Sequence, residues 1–522
     1  MGYIIGISSG AFGLVETSEK ASLMTIPRKI FAGGLEGVTF TQVDLESITE
    51  FKEPNIDKEV KKIKGMGIKF GFHGEFYRGN EKPLSMLDSA IETEYIHSHD
   101  RLVQHIDGCG KLGGEYVNAH PSETVPFIRL GTHFEPTKLV DPWGRSLKKF
   151  LEENKDLLDW IVTENKPGDK SFIWEFIRSG NPTDLIRYEE NRLLNQWYNR
   201  HKEGEEPSSD DKRKFHEEAI EDLKKDFLNK ISTSDFSYGT ERAAYYIIAK
   251  WMQDKNDQLW KSIVGEKIKD EDLSRTDMIK KWVPAVSAKY IWGHFCPKET
   301  KLFPDPKPLL EKYKIYFAFE AEMGAGGIEG MSRFYRPRDM IYLCQAIGSK
   351  WVSVCFDFEH TLSQNIDPKK EIEEIPYGLA KYIKLCHLGF PTSLVPAHMP
   401  IPLGSGEQLW LYERLFELRK KGFKDGYLIF ERGGAPRENV IIVLRLMKHY
   451  LERDIEPKKL PLEFFGMKEH GPEITRQEVA IREHALDPLR GMLLVPEEEY
   501  TFLSSEAVKK GKGEEWKKEK YK

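Results

Sequence analysis

Paired cysteines are missing from this sequence. Its 522 residues hold five cysteines, Cys109, Cys296, Cys344, Cys355 and Cys386. The number is odd and no two are spaced Cys-x-x-Cys. That argues against a disulfide framework and a zinc ribbon, and for a reducing cytoplasm. Also missing is any run of about 18 apolar residues, so no membrane-spanning helix is expected. The opening "MGYIIGISSGAFG" has neither the basic stretch nor the cleavage site of a secretory signal, and it reads as a first strand. Neither sign of charge is in excess: 78 Lys and Arg stand against 84 Asp and Glu, net −6. Overall charge thus gives no hint of a nucleic-acid partner, which would have to be held by a local basic patch.

What is present is enough apolar material for a core. At 39% hydrophobic residues the chain is not a disordered one. Its length suits one large barrel or two domains. Short apolar runs alternate with helix-like stretches. Strands are predicted at Tyr3–Ile7, Gly37–Val43, Gly67–His73 and Glu115–His120. Helices are predicted near Ile56–Lys64 and Leu84–Leu112.

From Asp141 to Leu310 the rhythm changes to helical, charged and aromatic sequence. This stretch holds 30 basic and 32 acidic residues and eight of the eleven tryptophans. So many large rings predict a packed helical subdomain. The polar "HKEGEEPSSDDKRK", His201–Lys214, is its expected flexible point. The strand–helix rhythm then resumes. Strands are predicted at Lys314–Glu320, Trp351–Asp357, Tyr382–His387 and Gly426–Glu431, with helices near Pro337–Ile347, Glu407–Lys420 and Asn439–Leu451.

Eight strands, most followed by a helix, predict a parallel sheet closed as a (β/α)8 TIM barrel. The expected organisation is a first half-barrel at 1–140, a helical insertion at 141–310 after strand 4, a second half-barrel at 311–452, and a helical C-terminal extension at 453–522. The last ends in the lysine-rich "VKKGKGEEWKKEKYK".

The strand ends carry the chemistry. "WVSVCFDFEH" alternates apolar and small residues and then delivers Asp357 and His360. His73 follows "KFGF", His120 follows "YVNA", Glu320 follows "YFAF", His387 follows "IKLC" and Glu431 follows "YLIF". His398 lies in the loop behind the seventh strand. Barrel enzymes place their working residues at this carboxyl rim. His, Asp and Glu are the nitrogen and hard-oxygen ligands of zinc and manganese. Taken singly, each is more often a turn residue, a helix cap or a solvated charge. Together on one rim, the carboxylates need cations to neutralise them. His133, His201, His216 and His294 lack ligand spacing and read as ordinary histidines. "GAGGIEG", after Glu320, reads as a tight loop and not a nucleotide fingerprint.

These residues resemble the xylose-isomerase-like barrel superfamily, and within it the endonuclease IV family of apurinic/apyrimidinic endonucleases. The likeness rests on "AHPSE" (119–123), "FEAEMGAGG" (319–327), "DFEH", "CHLG", "PLGSG" (402–406) and "FERGG". It covers the barrel but not the insertion. It implies three zinc ions. His73, His120 and Glu320 would hold one, with Glu320 bridging to a second completed by Asp357, His387 and Glu431. His360 and His398 would belong to the third. There the sequence departs, because the family's Asp-x-His is replaced by "PAHMP". Phe76 stands where the family carries an aromatic that stacks near DNA.

Two activities are compatible with this pattern. The first is a metal-dependent phosphodiesterase, an endonuclease of the DNA-repair type. It would use two or three Zn2+, or Mn2+, with Glu320 and Glu431 as catalytic residues. Its partner would be nucleic acid, DNA ahead of RNA, or a small phosphodiester. The second is a sugar isomerase or epimerase holding a single divalent metal, with two glutamates moving protons beside a carbonyl. His73 and His120, which such isomerases generally lack, favour the first reading. No membrane partner is expected.

Overall fold

The computed structural model describes residues 2–9, 25–35, 37–74, 84, 86–122, 138–164, 182–232, 239–273, 275–297, 303–324, 333–389, 400–431 and 437–467. Eight parallel strands close into a barrel in chain order: β1 (Tyr3–Ser8), β2 (Phe40–Asp44), β3 (Lys69–His73), β4 (Tyr116–Ala119), β5 (Tyr316–Glu320), β6 (Val352–Asp357), β7 (Ile383–His387) and β8 (Gly426–Phe430). Pairing of β1 with β8, from Tyr3↔Gly426 to Ile7↔Phe430, completes the ring. Every strand expected from the sequence is present. β2 begins at Phe40 and not at Gly37, whose φ of 79° belongs to a turn.

Helices pack between and around the strands. The first half carries α1 (Ile26–Leu35), α2 (Ile56–Gly65) and α3 (Glu92–Leu112). Between β4 and β5 come α4 (Leu147–Glu153), α5 (Lys155–Asp159), α6 (Pro182–Tyr198), α7 (Ser209–Ser232), α8 (Gly239–Asp254), α9 (Gln258–Ile263), α10 (Thr276–Phe295) and α11 (Lys307–Tyr313). The second half carries α12 (Pro337–Ile347), α13 (Phe358–Ser363), α14 (Pro368–Glu374), α15 (Gly406–Lys420) and α16 (Arg437–Glu452).

Three local expectations change. The stretch before α3 is not helical: Met86 bridges Ser122 and Ile91 bridges Leu139 before the helix starts at Glu92. Helix α1 was not expected at all. Gly33 and Gly34 lower its intrinsic propensity, but they serve close packing. A Cβ would meet Thr41 Oγ1 at 1.7 Å from Gly33 and Ile68 Cδ1 at 2.2 Å from Gly34. The expected flexible point at 201–214 becomes helix from Ser209. There Ser208 and Asp211 exchange hydrogen bonds: Asp211 N donates to Ser208 Oγ (3.1 Å) and Ser208 N to Asp211 Oδ2 (3.0 Å). That is the reciprocal arrangement that starts helices.

Side chains alternate across a strand. Phe40, Tyr116, Ala318, Cys355, Leu385, Tyr427 and Ile429 pack together as one buried layer inside the barrel. Two residues further along, the same face carries Gln42, Asn118, Glu320, Asp357, His387 and Glu431. The polar rim is thus the next step of the apolar core's own period.

The insertion is packed, as its tryptophans suggest. Trp143, Trp160, Trp260 and Trp282 are buried. Trp143 meets Trp251 and Trp292 edge to face, and Lys289 Nζ sits 3.9 Å over the Trp292 ring. Polar anchors tie the insertion to the barrel. Glu241 of α8 accepts two 2.7 Å hydrogen bonds from Arg333, which follows β5. Ser287 of α10 donates to Asp88, which follows β3, at 2.7 Å. His294 is an ordinary buried histidine in this framework, stacked on Tyr95.

Residues 1–459 form one compact unit and 460–522 another. In the second, Leu462–Phe465 makes a 3-10 turn ended by Gly466 at φ 75°. The lysine-rich tail lies outside the described residues. All five cysteines are free. Among the described residues no helix is long and apolar enough to cross a membrane.

Candidate metal centre

The site is built around His387 at the end of β7. Its Nδ1 lies 2.8 Å from Glu320 Oε1, 2.8 Å from Glu431 Oε2 and 3.4 Å from Asp357 Oδ2. All four side chains are buried. Their ligand atoms lie within 4.8 Å of one another. A single imidazole nitrogen cannot satisfy three carboxylates. Asp357 Oδ2 and Glu431 Oε2 are in fact buried without a hydrogen bond. Three anionic groups closing on one point, two with orphaned oxygens, fit a divalent cation, which neutralises charge and fills the open coordination.

Asp357 does two jobs. Its Oδ1 accepts from His360 N at 2.7 Å and caps α13, which leaves Oδ2 facing His387. One carboxylate thus caps the helix and still presents an oxygen to the candidate site.

On the far side of Glu320 lies a second group of donors. His73 Nε2 is 3.2 Å and His120 Nε2 3.9 Å from Glu320 Oε2. Asn118 Nδ2 donates to the same oxygen. His73, His120 and Glu320 also lie within 4.8 Å of one another through their ligand atoms. His360 turns Nδ1 to Ala321 O at 2.9 Å and stands 3.5 Å from Glu320 Oε1. The structure therefore brings together His73, His120, Glu320, Asp357, His360, His387 and Glu431. His398 and Phe76 lie outside the described residues.

Charges in this pocket shift strongly. Burial pushes the Glu320 carboxyl up, but His387, His120 and hydrogen bonds from His387 and His73 outweigh it and hold it well below the ordinary range. Glu431 is likewise held low: burial and the charge of Glu320 both raise it, but His387 and His73 prevail. Burial would lower His73, yet its hydrogen bond to Glu320 and the charges of Glu431 and Glu320 raise it to about 9. His387 is raised well above its usual value despite burial, through Cys355, Glu320 and Glu431. The lowered carboxyls and the raised imidazoles of this cluster favour one another's charged forms.

Two site residues escape a search for charge. Gln42 Oε1 lies 3.0 Å from His387 Nε2 and accepts from Tyr116 O–H at 2.8 Å. Asn118 holds Glu320. The signal that finds them is period: each stands two residues beyond a member of the apolar layer, Phe40 or Tyr116.

Fold and site together define a TIM barrel with a buried histidine–carboxylate cluster at its carboxyl rim that could hold a metal ion. A family model described as a xylose isomerase-like TIM barrel matches residues 307–449. No curated protein matches the sequence. Solved structures similar to it include a D-tagatose 3-epimerase-like protein, at 12% identity over 86% of this chain and 98% of that one, TM-score 0.39. An L-ribulose 3-epimerase shows 10% identity over 93% and 99%, TM-score 0.36. A D-psicose 3-epimerase from Clostridium cellulolyticum H10 shows 10% identity over 89% and 98%, TM-score 0.33.

The nucleic-acid phosphodiesterase expected from the sequence is corrected on this finding: the similar structures are named as epimerases. Hydrolase, endonuclease and DNA-repair roles go with it, and the nucleic-acid partner was implied by that reading alone. The donor set is compatible with this change. It is oxygen-rich, three carboxylates and one imidazole around one point, and such a set suits the single divalent ion of an isomerase as well as it suits zinc.

Proposed function

We propose that the protein is a divalent-metal-dependent sugar isomerase or epimerase. The observation that carries this is the four-donor group Glu320, Asp357, His387 and Glu431, two of whose members are glutamates. Those glutamates end β5 and follow β8, so they reach the site from different sides of the barrel. The proposal rests on this donor set and not on the distant structural likeness.

When bound, a divalent cation fixes and polarises neighbouring oxygens of a substrate such as a hydroxyketone. Glu320 and Glu431, both held as carboxylates, are placed to take a proton from a carbon beside the carbonyl and to return one. Burial of the pocket excludes water that would compete for that proton. His360, 3.5 Å from Glu320, is placed to orient a substrate hydroxyl. The mostly oxygen donors suit manganese or magnesium as well as zinc. His73 and His120 share Glu320, and a second ion there would raise the stoichiometry above one. The insertion, anchored on the loops after β3 and β5, is assigned the choice of substrate.

The test is solvent exchange. Protein loaded with Mn2+ is incubated in D2O with a panel of free and phosphorylated ketoses. Deuterium should enter at a carbon next to the carbonyl, and chelation should stop it. No exchange on any ketose, with the ion shown to be bound, would sink the reading.

A further inference from the structure

Gln42 sits in the middle of β2, fully buried, where a polar side chain is costly unless it is used. Its Oε1 takes two contacts, the Tyr116 O–H at 2.8 Å and His387 Nε2 at 3.0 Å. Its own Nε2 has no hydrogen-bond partner. The amide thus spends its carbonyl on two neighbours and leaves its N–H groups unused. An apolar residue of similar size would avoid that penalty, so its retention needs a reason.

The chain of contacts behind it is built with care. Gly71, the β-ladder partner of Gln42, has no side chain. A Cβ there would meet the Tyr116 ring at 2.6 Å. The missing side chain lets the Tyr116 ring lie against β3 and aim its hydroxyl at Gln42. Burial pushes the Tyr116 phenol well above its ordinary range, so it stays a hydrogen-bond donor. With the phenol donating, Gln42 presents a carbonyl oxygen to His387 Nε2. A carbonyl accepts only from N–H, so Nε2 must carry the proton. In the neutral ring, the form that binds a cation, Nδ1, the nitrogen facing Glu320, Asp357 and Glu431, is then the one with the lone pair.

We propose that Gln42 is a positioning residue that selects the His387 tautomer able to bind a cation through Nδ1, with Tyr116 setting the orientation of the Gln42 amide. The inference rests on the metal-site reading above and deepens it: affinity for the cation depends on an uncharged side chain that does not touch the ion. Removing such outer partners of a metal-bound histidine typically costs about 10–100-fold in affinity.

The experiment compares Mn2+ affinity, from the EPR signal of the free ion, in full-length wild type, Gln42→Leu, Gln42→Glu and Tyr116→Phe. Thermal unfolding of each cation-free protein establishes that it is folded. Gln42→Leu keeps the volume but removes the acceptor, and affinity should fall about 10–100-fold. Gln42→Glu keeps an acceptor at the same place and should restore binding to within a few fold. Tyr116→Phe frees the amide to turn and should show a smaller loss in the same direction. A merely structural role would move unfolding and affinity together and would give no rescue by Glu. A folded Gln42→Leu protein binding Mn2+ within twofold of wild type would overturn the proposal while leaving the metal site standing. Absence of Mn2+ binding by wild type would overturn both.

Discussion

Glu320 serves two sets of neighbours through its two oxygens. Oε1 faces His387 at 2.8 Å, and Oε2 faces His73 at 3.2 Å and accepts from Asn118. Glu320→Gln keeps the shape but removes both a cation ligand and a proton acceptor. We expect kcat to fall by about 10²–10⁴-fold, with an unchanged circular dichroism spectrum. His120, partly exposed and 3.9 Å from Glu320, should matter less, and His120→Ala should cost about tenfold or less, roughly 1.4 kcal/mol in the barrier. Equal losses from the two changes would contradict the central place given to Glu320. The charged members of the site were legible because a barrel strand that ends in His, Asp or Glu breaks its own apolar run. Gln42 and Asn118 were not, since a neutral amide inside a strand gives no such contrast. Whether several donors serve one ion or more is a matter of ångströms, and residue types alone are silent on it. That is where the nuclease reading entered.

Among the elements, the insertion helices and the barrel loops are joined by a few buried polar contacts. Glu241 of α8 and Arg333 form a bidentate pair with side-chain exposures of 6% and 23%. Breaking such a pair leaves a desolvated charge, so Glu241→Gln should destabilise the protein by about 3–5 kcal/mol. Removing both partners, as Glu241→Leu with Arg333→Leu, should cost less than the sum of the single changes, measured by chemical unfolding. Helix α12 supplies a pH test. Burial raises the Asp339 carboxyl from 3.8 to about 7, against the opposing charge of Arg338. Between those values the folded chain holds a proton that the unfolded chain has lost. Stability therefore falls as pH rises through that window, and the loss is complete above about 7. Asp339→Asn cannot ionise. Its unfolding midpoint should gain on wild type between about pH 4 and pH 8, and a difference flat across that range would refute the assignment. The barrel strands were readable because a two-residue apolar period survives in each. Helix α1 was hidden because its two glycines are explained only by the strands they touch. The extended stretch before α3 was hidden because its partners, Ser122 and Leu139, are distant in sequence.

At the scale of the whole molecule, the question is whether the helical insertion behaves as a separate body. Its anchors say otherwise. Asp88 accepts from Ser122 on the barrel side and Ser287 on the insertion side, both at 2.7 Å. Tyr245 donates to Asp88 O at 2.6 Å, and Trp292 of α10 donates to Ala346 O of α12 at 3.2 Å. Residues 1–459 accordingly form a single compact unit. The uneven placement of tryptophan makes this measurable, since eight of eleven lie within 141–310. Intrinsic fluorescence therefore reports mainly on the insertion, while the proposed cation binds on the barrel rim. A ligand that binds only the folded state stabilises every part that unfolds with its site, by about 2.7 kcal/mol at a hundredfold excess over Kd. Saturating Mn2+ should thus raise the fluorescence-detected melting temperature by the same amount as the melting temperature seen by circular dichroism, with the two curves superimposable. The Glu320→Gln protein, lacking a ligand, should lose most of both shifts together. If Mn2+ moved the circular dichroism transition but left the tryptophan transition in place, the insertion would be an independently folding domain. Its contacts to Asp88 and Arg333 would then be too weak to couple substrate choice to the metal centre.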